Sequence, residues 1–143
     1  PDMATLESTE ETTIFFVDDS MVARKEISQV LDKLGVKYHQ ANNGLEGWDH
    51  LKRLARRAQA EGRDLSETIN LILLDAEMPE MDGYVLTRHI KGDTRFDRIP
   101  VVMHSSLSSE ANRAMGKSVG VDAYVAKFDP VVLADTLRPL LQR

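Results

Sequence analysis

Polar residues that could do chemistry stand at the ends of short apolar runs in this sequence. Asp75 follows four branched aliphatic residues in "LILLD", and Asp18 with Asp19 follows "TIFFV". Ser105 ends "IPVVMHS", and Lys127 ends "DAYVAK". Together these side chains are three carboxylates, a hydroxyl and an ammonium. They can act together only if the fold brings the ends of the four runs to one place.

The order of apolar segments predicts such a fold. Five short runs typical of strands alternate with five longer segments whose apolar residues recur at helical spacing. Because parallel strands need crossover helices, the alternation predicts an α/β fold with a doubly wound, five-stranded parallel sheet in three layers. Ser20 and Gly35 are predicted to cap the first helix, while Asp129 and Pro130 should begin the last one.

Finer expectations concern individual helices and the histidines. The second helix carries Leu45, Trp48, Lys52 and Ala55 at helical spacing, and Pro139 should disrupt the final turn of the last helix. The four histidines show no metal-ligand spacing and are expected to be exposed or partly buried. They are His39, His50, His89 and His104.

In an open parallel sheet, polar chemistry gathers at the carboxyl ends of the strands, beside the topological switch point. Three acids there repel one another and raise each other's pKa unless a cation intervenes. The cation that suits them is magnesium, which takes one or two carboxylates, several waters and a phosphate oxygen. Beside such an ion and Lys127, the carboxylate of Asp75 can attack a phosphoryl group. The product would be an aspartyl phosphate.

Composition excludes several other classes of protein. A chain of 143 residues forms one ordinary domain, and its net charge of -5 argues against nucleic acid as a partner. With no cysteine, disulfides and thiolate metal sites are excluded, and a cytoplasmic location is expected. No apolar run approaches the roughly 20 residues of a membrane span, so no membrane insertion is expected. Residues 1–12 are expected to be a flexible leader or linker, and residues 13–143 the domain.

Each candidate also has an ordinary structural explanation. Asp18 and Asp19 could be a solvated pair that caps the next helix. Ser105 could belong to a simple turn, Tyr124 could be a strand aromatic, and Lys127 could be a surface charge. Spacing alone leaves these alternatives open.

Four segments, in order and at matching strand ends, resemble those of a known family. They are "FFVDDS", "LLDAEMPEMDG", "PVVMHSS" and "AYVAKFDP". From about Thr13 to Leu141 the chain resembles a CheY-like receiver domain of two-component response regulators, which implies a flavodoxin-like (CheY-like) fold. In "MHSSLSSEANR", in "KFDP" and in the long helix and loop from Lys52 to Asn70 it is most similar to the receiver domain of the chemotaxis coupling protein CheV.

The resemblance implies a chemical role for each residue at the strand ends. Asp75 would be the phospho-acceptor, and Lys127 would contact the phosphoryl oxygens. Magnesium would be held by Asp18, Asp19 and Asp75 together with the backbone carbonyl of Glu77.

The resemblance also implies a switch and partners. Ser105 and Tyr124 would form the conformational switch, and the phosphoryl donor would be a histidine kinase, expected to be that of chemotaxis. The chain would then not be an enzyme and would catalyse only its own phosphorylation and dephosphorylation. In CheV a CheW-like domain precedes the receiver, so such a domain is expected upstream in the full-length protein.

Three alternatives from other classes of function stay open. The chain could be a stand-alone phosphate sink that accepts a phosphoryl group without switching. A dehalogenase-type phosphatase would need a second carboxylate two residues after its nucleophile, on the first strand. Two residues after Asp18, on the first strand, the chain has Ser20, which is not a carboxylate. Two residues after Asp75 it has Glu77. A flavodoxin-like binder would place a flavin phosphate at the acidic turn "DDSMVA", which would repel it.

Overall fold

The computed structural model describes residues 12–106, 109–127 and 129–141, so the predicted leader lies outside the described residues except for Thr12. Five strands and five longer helices alternate along the chain. The strands are β1 (Thr13–Val17), β2 (Lys37–Ala41), β3 (Leu71–Asp75), β4 (Val101–Ser105) and β5 (Ala123–Ala126). The helices are α1 (Met21–Leu34), α2 (Gly44–Ala60), α3 (Gly83–Lys91), α4 (Glu110–Val119) and α5 (Pro130–Leu141).

The sheet confirms the predicted fold class. Its strand order is β2-β1-β3-β4-β5, and every neighbouring pair is parallel. Because successive side chains of a strand point to opposite faces, β1 supplies both cores. Phe15 packs with the apolar faces of α2 and α3, whereas Phe16 packs with those of α1 and α5. The helices therefore cover both faces of a sheet whose carboxyl edge stays accessible.

The predicted caps of α1 and α5 are present. Ser20 is the N-cap of α1, with its hydroxyl accepting from the Ala23 amide at 3.2 Å, and Gly35 ends the helix in the left-handed conformation at φ 76°. The Asp129 carboxylate accepts from the amides of Val131 and Val132. These local bonds satisfy backbone groups that the helix itself leaves unpaired.

One finer expectation was met in part and another was wrong. Of the residues predicted at helical spacing in α2, Ala55 is buried and Trp48 packs against the core, but Leu45 is exposed. The buried residues of α2 are Gly44, Gly47, Leu51, Leu54, Ala55 and Ala58. A Cβ on Gly47 would lie 2.9 Å from the Val17 side chain, so the helix approaches β1 closely at Gly47. The last helix continues past Pro139 to Leu141, because Leu140 and Leu141 still pack against the core there.

Candidate functional site

The carboxyl edge of the sheet gathers the strand-end residues that the sequence singled out. Asp18 and Asp19 follow β1, Asp75 is the last residue of β3, and Ser105 is the last residue of β4. Lys127 directly follows β5. The chain leaves β1 for β2 on one side and later returns to β3 on the other, which makes the gap between β1 and β3 the switch point of the sheet.

Three carboxylates and one ammonium meet at this switch point. Oxygens of Asp18, Asp19 and Asp75 lie within 4.8 Å of one another. The Lys127 ammonium lies 2.8 Å from Oδ2 of Asp18 and 3.1 Å from Oδ1 of Asp75. Asp18 and Asp75 are buried at 0% and 3% exposure, whereas Asp19 is exposed. One cation therefore faces two buried acids, and the third acid opens the cluster to solvent.

The electrostatics of the cluster leave it short of positive charge. Burial, and then the negative charge of Asp18, raise the pKa of Asp75 to about 7, although Lys127 opposes the shift. Burial alone would lower the pKa of Lys127, but the bonds and charges of Asp18 and Asp75 outweigh it and raise that pKa. An additional cation would relieve the remaining repulsion between the carboxylates.

The donor set fits a hard divalent cation such as magnesium. Carboxylate and carbonyl oxygens are the protein ligands that such an ion prefers, and three carboxylate oxygens are within reach of one ion here. The Glu77 amide lies 3.4 Å from Oδ1 of Asp75, to which it donates, so this peptide borders the cluster. That the carbonyl of Glu77 is a further ligand stays a prediction.

Local backbone bonds orient the first of these acids. Oδ1 of Asp18 accepts a hydrogen bond from the Ser20 amide at 2.9 Å. The backbone carbonyl of Asp18 accepts one from Nη1 of Arg24 at 2.7 Å. Since Ser20 is the N-cap of α1, Asp18 does not fill the cap position that its alternative explanation required. Its other oxygen is held by Lys127 in the cluster.

A loop closed by a backbone hydrogen bond returns the chain from β3 to α3. The Gly83 amide donates to the carbonyl of Ala76 at 2.9 Å. A Cβ on Gly83 would lie 2.3 Å from the Asp75 carbonyl, so this close approach requires glycine. The "DG" of the sequence thus holds the β3–α3 loop against the strand end that carries Asp75.

The two predicted switch residues lie on adjacent strands, and Ser105 already has a partner. Its buried hydroxyl donates to Oε2 of Glu77, and the Ser106 hydroxyl lies 3.4 Å from the other oxygen of the same carboxylate. Tyr124 is half-buried on β5, where its register partner is Met103. The side chain of Glu77 therefore lies at the rim of the site, bound to the hydroxyl that is predicted to move.

Two residues at the site were missed from the sequence, and one histidine was misjudged. Tyr84 and Asn112 line an open cleft of about 470 Å³ beside Glu77, and nothing in the sequence pattern around them marks them as site residues.

His104, expected at the surface or partly buried, is 1% exposed on β4 beside Asp75. Burial, and then the charge of Lys127, lower the pKa of His104 to about 3, so its ring is neutral.

No helix within the described residues combines the length and the apolar character that crossing a bilayer requires.

Comparison with known proteins shows what this geometry resembles. Residues 14–138 match the family model of the response regulator receiver domain. The chain is 34% identical to the chemotaxis protein CheV3 of Helicobacter pylori over 133 residues, which cover 93% of this chain and 42% of CheV3. It is 30% identical to CheY1 of the same organism over 130 residues, covering 90% of this chain and 95% of CheY1. The chain thus spans less than half the length of CheV3.

Solved structures show the same fold. The BeF3-activated DrrB receiver domain superposes with a TM-score of 0.72 at 27% identity, covering 92% of this chain and 98% of that one. CheY4 of Vibrio cholerae superposes with a TM-score of 0.72 at 25% identity, covering 91% of this chain and 98% of its own. The sequence match over most of the chain and the shared parallel sheet agree, and the chain belongs to the response regulator receiver domain family, in its CheY/CheV-like branch.

Proposed function

We propose that the chain accepts a phosphoryl group on Asp75 from a histidine kinase and that the product shifts a partner-binding face. The observation that carries this proposal is the contact of the Lys127 ammonium with both Asp18 and Asp75. This contact supports the proposal because a cation next to Asp75 could offset charge on the oxygens of an arriving phosphoryl group. Membership of the receiver family supports the same chemistry, since its members act as phospho-acceptors rather than as enzymes with a turnover substrate.

The proposed transfer is a displacement at phosphorus. An ionised oxygen of Asp75 forms the new bond to phosphorus, and the bond from phosphorus to the imidazole nitrogen of the donor breaks, leaving the electron pair on that nitrogen. Lys127 offsets charge on the phosphoryl oxygens. Magnesium would be held by Asp18, Asp19, Asp75 and the carbonyl of Glu77, and when bound it would supply further positive charge at those oxygens.

The likeness to chemotaxis proteins supports a chemotaxis kinase as the donor. Because the chain covers 42% of CheV3, a CheW-like domain upstream in a longer protein is part of this proposal. In this proposal, residues 13–143 form the receiver domain, and residues 1–12 form the leader or linker. A cytoplasmic location agrees with the lack of cysteine in the sequence.

The proposed switch begins at Ser105. A phosphoryl group on Asp75 attracts the Ser105 hydroxyl, which must then leave the Glu77 carboxylate that it contacts now. The space that Ser105 vacates can be taken by Tyr124, and the face formed by α4, β5 and α5 changes its affinity for partners. A phosphate sink would carry out the chemistry at Asp75 without this distant change.

Beryllofluoride, which stands in for the phosphoryl group, should separate these two functions. In a switching receiver it should move amide resonances of Val125, Ala126 and α4 as well as those beside Asp75. Ser105→Ala should confine the changes to the pocket, because the hydroxyl that transmits the new charge is gone. Perturbations confined to the pocket in the wild type would instead support the phosphate sink.

Magnesium should raise the melting temperature with its concentration, because an ion that binds only the folded cluster adds RT ln(1 + [L]/Kd) to the free energy of unfolding. Asp19→Ala should remove most of this dependence, since Asp19 is the solvent-facing carboxylate of the cluster. Asp49→Ala on the exposed surface of α2 is the control and should respond like the wild type. Identical melting of the wild type in EDTA and in excess magnesium would contradict a cation site.

A further inference from the structure

Two phenol hydroxyls meet beside the proposed switch. Tyr84, in the first turn of α3, has its hydroxyl 3.4 Å from the Tyr124 hydroxyl of β5. The Tyr84 hydroxyl also donates to the backbone carbonyl of Asn112 in α4, again at 3.4 Å. Either of the two hydroxyls can donate across the Tyr84–Tyr124 contact. Tyr84 therefore links three elements: α3, α4 and β5.

The ring of Tyr124 is held against α4 as well. A Cβ on Gly116 would lie 2.9 Å from Cδ2 of Tyr124, so the ring occupies space that only glycine leaves open. The Arg113 guanidinium lies 5.2 Å from the ring centre, and its Nη1 donates to the Tyr124 carbonyl at 3.1 Å. In this position the Tyr124 ring contacts α4, and its hydroxyl contacts Tyr84 of α3.

We infer that Tyr84 is a positioning residue for the switch: its hydroxyl holds the Tyr124 hydroxyl between α3 and α4 and so sets how readily Tyr124 leaves this position. The inference rests on the proposed function, because it concerns the equilibrium that phosphorylation of Asp75 would bias. A contact made in only one of two states shifts their balance by the free energy of that contact. Loss of the Tyr84 hydroxyl therefore favours the other state.

The chemistry of Tyr84 suits this role. Burial, and then the hydrogen bond and charge of Tyr124, raise the pKa of Tyr84 to about 12, so its phenol stays protonated and can donate a hydrogen bond at neutral pH. Both oxygen–oxygen distances of 3.4 Å are longer than the common O–H···O length of about 2.7–2.8 Å. The bonds are therefore weak, which allows Tyr124 to exchange between two positions.

Tyr84→Phe tests the effect on the switch. The apparent Kd for beryllofluoride in the presence of magnesium should fall about two- to fivefold, the change expected for loss of one weak neutral hydrogen bond from the resting state. The matched control is Tyr38→Phe, because Tyr38 packs on Phe16 from β2 and does not contact the switch. Gly116→Ala should shift the Kd in the same direction by displacing the Tyr124 ring, with both hydroxyls retained.

Tyrosine labelled with ¹³C at Cζ tests the contact itself. The chain has 3 tyrosines, so single phenylalanine variants assign every signal. Tyr124→Phe should move the Tyr84 signal, and beryllofluoride should move the Tyr84 and Tyr124 signals together in the wild type. Tyr38 should keep its signal in both experiments.

The outcomes separate this inference from the function on which it rests. A Tyr84 signal unchanged in Tyr124→Phe, or a Tyr84→Phe variant with the same Kd as Tyr38→Phe, would overturn the role of Tyr84 while leaving the receiver function intact. No response of the wild type to beryllofluoride would instead defeat the proposed function, and the switch role of Tyr84 with it.

Discussion

Asp75→Asn should abolish covalent labelling of the chain by acetyl phosphate in the presence of magnesium. The amide preserves the size of the side chain but offers no ionised oxygen to attack phosphorus. Labelling would be followed by the intact mass of the protein. Asp32→Asn is the matched control, since Asp32 is exposed near the end of α1 that lies remote from the carboxyl edge of the sheet. Undiminished labelling of Asp75→Asn would show that another residue is the acceptor.

The same substitution should stabilise the metal-free protein at alkaline pH. The pKa of Asp75 is raised from its ordinary value of 3.8 to about 7, so the folded state keeps a proton that the unfolded chain releases. The wild type therefore loses stability as the pH rises between those two values, and the loss is complete above the higher one. Urea unfolding in EDTA at about pH 8 should find Asp75→Asn more stable by on the order of 2 kcal/mol, with a smaller difference at about pH 5.

Lys127→Ala should produce the largest loss of stability. Lys127 is the cation that contacts both buried carboxylates, and removing one partner of a buried ion pair costs about 3–5 kcal/mol. The pKa of Lys127 is raised in the fold, so its contribution is fully present below its ordinary value of 10.5 and is lost only above it. Urea unfolding of the metal-free variant should show a loss that grows from about pH 5 to about pH 8, as the Asp75 carboxylate, whose pKa is raised to about 7, ionises beside the missing ammonium.

Two further variants isolate the cause of that loss. Lys91→Ala removes an ion pair of similar length, 3.2 Å to Asp122, but at a more exposed position, and should cost at most about 1 kcal/mol. Adding Asp75→Asn to Lys127→Ala should restore much of the stability, because it removes one of the uncompensated charges. A loss in Lys127→Ala no greater than in Lys91→Ala would mean that the ammonium does not compensate the buried acids.

Local sequence patterns were sufficient where a feature depends on neighbours along the chain. The strand at Leu71–Asp75 and the caps of α1 and α5 follow from apolar runs and from side chains that bond amides two or three residues away. The same patterns were only partly right for α2, where Ala55 is buried but Leu45 is exposed. There the orientation of the helix depends on the close approach of Gly47 to Val17, which helical spacing does not contain.

What the sequence by itself determined is the parallel α/β fold and the edge at which its polar strand ends meet, because parallel strands connected by helices leave all their carboxyl ends on one side. Only the tertiary structure decided how those side chains pair. Glu77 binds Ser105 across 28 residues, and Tyr84 meets Tyr124 across 40. Contacts over such separations depend on loop paths and rotamers set by packing, and no local period encodes them. His104 is buried for the same reason, since its environment comes from strands and helices distant in the chain.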